Sequence, residues 1–489
     1  MSDKVKINRL ATGVPGFDNL LGGGLPEFSF NLIAGAPGSG KTTLAHQVMF
    51  SLASPDNRAL FFTVLGEPSL KMLRYQQQFS FFDHSKVNQS IRFVNLATDL
   101  LEGDFDRVLA RIAAEVKEHQ PSLVFVDSFR SVVQSVKDRN APELQRFVQR
   151  LGMQMSSWQA TSFLIGEYEG SENDSSAVFT VADGIILLTQ NTHRNSMVRK
   201  MQVVKIRGQA QVPGYHTFRI SEEGLRVFPR AIIQSDEVTG GANAAASGRV
   251  SMGVEGLDEM MGGGLPAAYS MLVVGPSGSG KSILATSFLA EGARCGEPGV
   301  IAAFEKSPNQ LLHKQLQDLV SAGHVGVIDT RSLDLSIDET LHDLLRMIER
   351  MQAKRVVIDS LPGFELALAP QFSEDFRGSL YRMVAELSSK GVTILLTSEL
   401  EDCSTDMRVS PYNSAILADA ILMQRYVEIA GQVKRVLSVI KVRGSDHSKD
   451  IRLFDITEDG IVIGDRLTKY EGIMTGHPRI SSEQVHEQK

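Results

Sequence analysis

A fifteen-residue segment near the start of this chain returns 240 positions later, and a glycine-rich loop returns with it. Thr12-Gly-Val-Pro-Gly-Phe-Asp-Asn-Leu-Leu-Gly-Gly-Gly-Leu-Pro26 matches Met252-Gly-Val-Glu-Gly-Leu-Asp-Glu-Met-Met-Gly-Gly-Gly-Leu-Pro266 at nine of fifteen positions. Gly35-Ala-Pro37-Gly38-Ser39-Gly40-Lys41-Thr42 and Gly275-Pro-Ser277-Gly278-Ser279-Gly280-Lys281-Ser282 follow at the same offset. A short period would mean a stacked solenoid; this period is a whole domain. The 489 residues are therefore expected to fold as two copies of one domain. The expected division is 1–235, a linker over 236–248, a second domain over 249–464 and a C-terminal segment over 465–489. The join, Ser235 to Gly248, is small, polar and aperiodic, as a flexible linker should be.

Each loop fits G-x-x-x-x-G-K-[ST] and sits between an apolar run and a helical pattern. That context is the one a phosphate-binding loop needs. The glycines let the backbone curl until its N–H groups face phosphate oxygens, and the next helix adds its positive end. Lys41 and Lys281 would reach the β- and γ-phosphates of ATP, with Thr42, Thr43 and Ser282 in the turn that follows. Beyond the loops, short β-rich runs such as Leu123 to Asp127 and Val356 to Asp359 alternate with helical periods. That alternation gives an α/β fold, a mostly parallel sheet flanked by helices.

Asp127 and Asp359 each end an apolar run and precede a serine. A carboxylate there can hold Mg²⁺ through water, with the hydroxyls of Thr42 and Ser282; a helix-capping aspartate is the alternative. Forty residues further on in each half, Glu167 and Glu399 end another apolar run, as γ-phosphate sensors or structural strand ends. Glu67 and Glu305 follow the next strand after each loop and are the candidates for the base or orienting carboxylate, with capping of the following helix as the alternative for Glu67. Lys205-Ile206-Arg207-Gly208 is repeated as Lys441-Val442-Arg443-Gly444. Lysine and arginine two apart in a strand point to one side, so each pair can clamp a triphosphate, as an arginine finger does for a neighbouring site. A solvated pair at a sheet edge is the alternative.

Composition narrows the class. Two cysteines, Cys295 and Cys403, make no disulfide framework and fit a reducing cytoplasm. No apolar run approaches the ~18 residues of a membrane span, and the start lacks the apolar core of a signal peptide. The net charge of −7 supplies no overall basic field, so nucleic acid is not an expected partner.

Taken together, these motifs resemble the KaiC family of clock-type ATPases within the RecA-like superfamily. The resemblance spans nearly the whole chain, including Asp419-Ala-Ile-Leu-Met-Gln-Arg-Tyr-Val-Glu-Ile429 and the segment Asp465 to Pro478. It implies two tandem RecA-like P-loop NTPase domains, a homohexamer of two stacked rings, and ATP and Mg²⁺ held between subunits. It implies slow hydrolysis in the first ring and Ser/Thr autophosphorylation in the second, with a signalling protein as partner. It also implies that Lys205, Ile206 and Arg207 contact ATP bound by the adjacent first domain. Arg435, Lys441, Val442, Arg443, Ser445 and His447 would do so in the second ring. The chain departs from the family's clock members in two places. The glutamate pair survives as Glu305-Lys306 in the second half, but reads Leu65-Gly66-Glu67 in the first. The family's phosphoacceptors fall on Ala415 and Ile416, which leaves Ser410 and Ser414 as the nearby hydroxyls. Two alternatives of other classes are a RecA/RadA-like DNA-dependent ATPase, and a nucleotide-switched scaffold with little turnover.

Overall fold

The computed structural model describes residues 7–63, 69–97, 99, 105–127, 141–167, 177–193, 196–230, 248–304, 314–328, 335–400, 418–458, 460–468, 470–473 and 479–480. The chain separates into two compact units, Met1–Arg230 and Ala231–Lys489. Most of the expected linker lies outside the described residues.

In the first unit the principal elements are β1 (Phe30–Gly35), α1 (Lys41–Leu52), β2 (Ala59–Thr63), β3 (Ile91–Asn95), α2 (Phe105–His119), β4 (Leu123–Asp127), α3 (Ala141–Ser157), β5 (Thr161–Glu167), β6 (Gly184–His193), β7 (Ser196–Ile206), β8 (His216–Ser221) and β9 (Gly224–Phe228). Among the described residues they form one nine-stranded sheet in the order β9-β8-β7-β6-β1-β5-β4-β2-β3. The strands from β6 to β3 across the sheet run parallel, and β7 to β9 are added as an antiparallel meander.

The second unit repeats the plan with β10 (Ser270–Gly275), α4 (Lys281–Arg294), β11 (Gly299–Ala303), β12 (Val325–Ile328), α5 (Ile337–Met351), β13 (Arg355–Asp359), α6 (Phe376–Ser389), β14 (Thr393–Glu399), β15 (Ala420–Ile429), β16 (Gln432–Val442), β17 (Arg452–Thr457) and β18 (Gly460–Arg466). Its order is β12-β11-β13-β14-β10-β15-β16-β17-β18. These are the tandem RecA-like α/β domains that the motifs lead one to expect.

Continuous apolar strands make sense here because both faces of each sheet are covered. Along β10, Met271 and Val273 join the core under α4 with Leu284 and Phe288. Leu272 and Val274 point the other way, into the core under α5 and α6 with Leu344 and Met383. Along β2 the same alternation sends Phe61 to one core and Leu60 and Phe62 to the other.

The repeated segment before each loop is a clamp. Asp18 accepts hydrogen bonds from the Thr12 amide (2.9 Å) and hydroxyl (2.7 Å). Asp258 accepts from the Met252 amide (2.8 Å) and the Ser251 hydroxyl (2.6 Å). Each aspartate ties its short helix to the strand that leads in, which explains why the aspartate recurs. No described helix is long and apolar enough to cross a membrane.

One difference between the units concerns α1. His46 is fully enclosed against Phe61, 4.6 Å between ring centroids, and neither ring nitrogen makes a hydrogen bond among the described residues. The corresponding residue of α4, Thr286, satisfies its hydroxyl on the Ser282 carbonyl. Burial lowers the His46 pKa to about 4, although the Gln76 side chain pulls the other way. The folded unit thus holds His46 neutral, whereas the unfolded chain protonates it near pH 6.5. Its contribution is complete above pH 6.5 and lost as pH falls towards 4, by about 1.4 kcal/mol per pH unit and about 3 kcal/mol in all. Urea unfolding of the first unit should reveal this fall as the difference in pH slope between wild type and His46→Leu, because Asp127, whose pKa burial raises to about 6, contributes with the opposite sign over the same range. The wild-type comparison is needed because burial also lowers the His216 pKa. An unchanged slope in the variant would remove His46 as its source.

Candidate nucleotide sites

Both loops leave the carboxyl end of the central strand of their sheet and run directly into a helix. Gly38 and Gly40 adopt φ of +75° and +100°; Gly278 and Gly280 adopt +76° and +104°. A side chain at Gly40 would also come within 2.7 Å of Ile220, and one at Gly280 within 2.9 Å of Ile456. The backbone there is shaped as a cradle that only glycine allows. Lys41 Nζ donates to the Ala36 carbonyl at 2.8 Å. Lys281 Nζ donates to the carbonyls of Gly275 and Pro276 at 2.8 and 2.9 Å. Each ammonium group is therefore buried and held over its own loop, beside the positive end of α1 or α4.

The carboxylates arrive from neighbouring strands. Asp127 ends β4, and Thr42 Oγ1 donates to its Oδ2 at 2.7 Å. Burial raises the Asp127 pKa to about 6, against the Thr42 hydrogen bond and the charge of Lys41, while Glu167 pushes it higher still. Glu167 and Glu399 stand in register with Gly35 and Gly275, the first loop residues. A hydroxyl and a buried carboxylate in contact, at the mouth of a phosphate cradle, form the hard-oxygen donor set that suits Mg²⁺. In the second unit Asp359 occupies the corresponding strand end, but its Oδ1 accepts a hydrogen bond from the Thr397 hydroxyl. Ser282 makes no hydrogen bond to Asp359 among the described residues. The two sites share a skeleton and differ in how the carboxylate is held.

The Lys-x-Arg pairs lie at the other end of the sheet. Lys205 stands opposite Ile185, and the Arg207 amide reaches the Asp183 carbonyl at 2.9 Å, beside the start of β1 rather than its end. Arg207 pairs with Asp183 at 2.9 Å, and Arg443 with Asp419 at 3.2 Å. Lys441 Nζ donates to the Ala418 carbonyl at 2.8 Å. Burial lowers the pKa of Lys205 and Lys441, with Arg207 and Arg443 adding to the effect. Val442 packs into the core and Ile206 against it, so those residues can offer a ligand only their main chain. At about 3.3 Å per residue, the pairs are roughly 15 Å from their own loops. Ser445 accepts from Arg249, and the His447 amide donates to Asp446, both in the turn after β16.

Arg435 separates from the residues the resemblance groups it with. It faces Tyr426 across β15 and β16, with its guanidinium 5.7 Å from the ring, and Tyr426 stands over Gly278. Six strand residues put it near its own loop, roughly 20 Å from Lys441. Glu67, Glu305, Ser410 and Ser414 lie outside the described residues.

Sequence reasoning missed Thr397, which holds Asp359, and Tyr426 and Gln424, which stand against the second loop; their places follow only from the strand order. It also missed Asp183 and Asp419, although a signal existed. Both lie 24 residues before their arginines, a spacing that the repeat preserves.

Two phosphate loops on central strands, each with a buried lysine and a strand-end aspartate, define a tandem P-loop nucleotide-binding protein. The model of the KaiC ATPase matches residues 10–232 and 250–468, and the chain belongs to that family. It is 27% identical to the circadian clock oscillator protein KaiC 1 of Synechocystis over 98% of this chain and 94% of that protein. It is 28% identical to the circadian clock oscillator protein KaiC of Prochlorococcus marinus over 98% and 97%. It is 27% identical to its namesake from Thermosynechococcus vestitus over 99% and 94%.

Proposed function

We propose that this chain hydrolyses ATP with Mg²⁺ at both loops and assembles as a double-ringed homohexamer when nucleotide is bound. In this reading the second domain transfers phosphate to the chain's own Ser410 or Ser414. The setting is cytoplasmic signalling or clock-like timing with a protein partner. The observation that carries the reading is the distance of each Lys-x-Arg pair from its own loop. Cations roughly 15 Å down the sheet cannot clamp a phosphate that their own loop holds. They suit a phosphate held by a neighbouring copy, and they do so in both units. The names of the curated relatives support the timing side.

Within each site the roles follow from position. Loop amides and Lys41 or Lys281 orient the phosphates. Asp127 with Thr42, and Asp359 with Ser282, would hold the metal, which neutralises charge on the phosphates when bound. Glu67 and Glu305 are assigned the task of taking the proton from the attacking hydroxyl or water.

Sizing with and without Mg²⁺-ATP, followed by mass spectrometry of phosphosites, tests the assignment. A larger species should form with nucleotide, and phosphate should appear on Ser410 or Ser414. A monomer at saturating Mg²⁺-ATP would remove the shared site. Assembly without any phosphate would favour an ATPase scaffold over a kinase.

A further inference from the structure

The serine just before the last glycine of each phosphate loop, Ser39 or Ser279, is fully enclosed, but the two are held differently. Ser279 Oγ donates to Gln424 Oε1 at 2.9 Å, and Gln424 itself has no exposed surface. Ser39 Oγ has no hydrogen-bond partner among the described residues. The cause is one residue on the strand beside the loop. In the first unit Gly35 stands in register with Leu188 on β6. A side chain at Gly35 would strike the Leu188 carbonyl and Ser39 Oγ; at Gly275 it would strike the Gln424 carbonyl and Ser279 Oγ. Leu188 and Gln424 are therefore the same place in the two copies, one apolar and one polar.

A leucine evidently fits that place, so packing alone does not call for an amide. The amide is also costly, because Gln424 Nε2 is buried without a partner among the described residues. Its orientation does not matter to the contact, since a hydroxyl can pair with either end of an amide.

We propose that Gln424 is a positioning residue of the second nucleotide site. It latches Ser279 and so holds the amides of the neighbouring loop residues in phosphate-binding shape before nucleotide arrives. The first loop, faced by Leu188, has no such latch and orders its serine only with the phosphates in place. Pre-organisation of this kind raises affinity by removing the ordering cost from the binding step. The inference rests on the reading of the second loop as an ATP site.

The test uses the full chain carrying Lys41→Ala, so that the second loop reports alone, and fluorescent mant-ATP as the probe. Gln424→Leu should weaken mant-ATP binding about fivefold, the equivalent of ~1 kcal/mol for one hydrogen bond. Ser279→Ala should give a similar loss, and the double variant should lose little more, because both changes break one contact. A residue that merely packs the strand would give additive losses, or a lower melting temperature at unchanged affinity. Either of those results overturns the latch. If the parent bound no mant-ATP, the ATP reading of this loop would fail, and the latch with it.

Discussion

Lys281→Ala is expected to lower ATP turnover at the second site by about 10²–10³-fold, the usual loss for one pre-placed electrostatic group. The size follows from its surroundings. Lys281 is buried, and the carbonyls of Gly275 and Pro276 fix its ammonium group at 2.8 and 2.9 Å. The charge therefore need not be oriented during reaction, and little water screens it. Alanine removes that charge, while the two loop carbonyls keep the amides of Leu400 and Ser279 as donors. Arginine should not rescue the site, because a planar guanidinium does not replace a compact ammonium between two carbonyls. The measurement is phosphate release in a Lys41→Ala parent, with and without the second change. A loss under tenfold would mean that Lys281 is not the phosphate-binding charge.

Arg355→Leu should destabilise the second unit by about 3–5 kcal/mol, as expected when one partner of a buried charge network is removed. Arg355 begins β13 and is only 2% exposed. One terminal nitrogen donates to the carbonyls of Ser251 and Phe288, both at 2.8 Å. Its other two nitrogens reach Glu297 at 2.9 and 2.8 Å, and the guanidinium lies 4.8 Å from the Phe288 ring. It thus ties the segment before the clamp helix, α4 and the turn before β11 to the sheet. Leucine would take the guanidinium donor from both carbonyls at once. For a unit of this size the loss corresponds to a fall in Tm of roughly 6–20 °C. Scanning calorimetry should show the fall in the second unit's transition, while the transition of the first, which has Leu123 at the start of β4, stays in place. Glu297→Gln should cost less, because Glu297 is 37% exposed and water can replace part of its contact. A loss under about 1 kcal/mol for Arg355→Leu would contradict the buried network.

What could be read from the sequence was whatever a local rule dictates. The loop glycines are demanded by backbone angles that the motif itself encodes. The strand-end aspartates show through because the repeat keeps each of them 40 residues before its glutamate. The fold class followed from alternating strand and helix periods. The residues that stayed hidden act across the sheet. Gln424 is 145 residues from Ser279, and nothing near either predicts that β15 lies beside β10. Thr397 reaches Asp359 for the same reason, from the intervening strand β14. His46 reads as an ordinary helix residue until the aromatic neighbours on β2 and β3 close over it. Arg435 is a further case in which the strand, and not the motif, sets the position. The resemblance groups it with Lys441 at a neighbour's nucleotide, whereas the extended strand puts six residues, roughly 20 Å, between the two.

The separation of loop and cation pair also gives the subunit a direction. A copy that presents its loop on one side and its cations on the other cannot satisfy both in a two-fold pair. If a neighbour's cations serve each loop, as proposed above, every contact would join unlike surfaces, and copies would add head to tail and either close on themselves or continue as a filament. Closure would leave no loop without a donor and no donor without a loop, whereas any open chain would end in one of each.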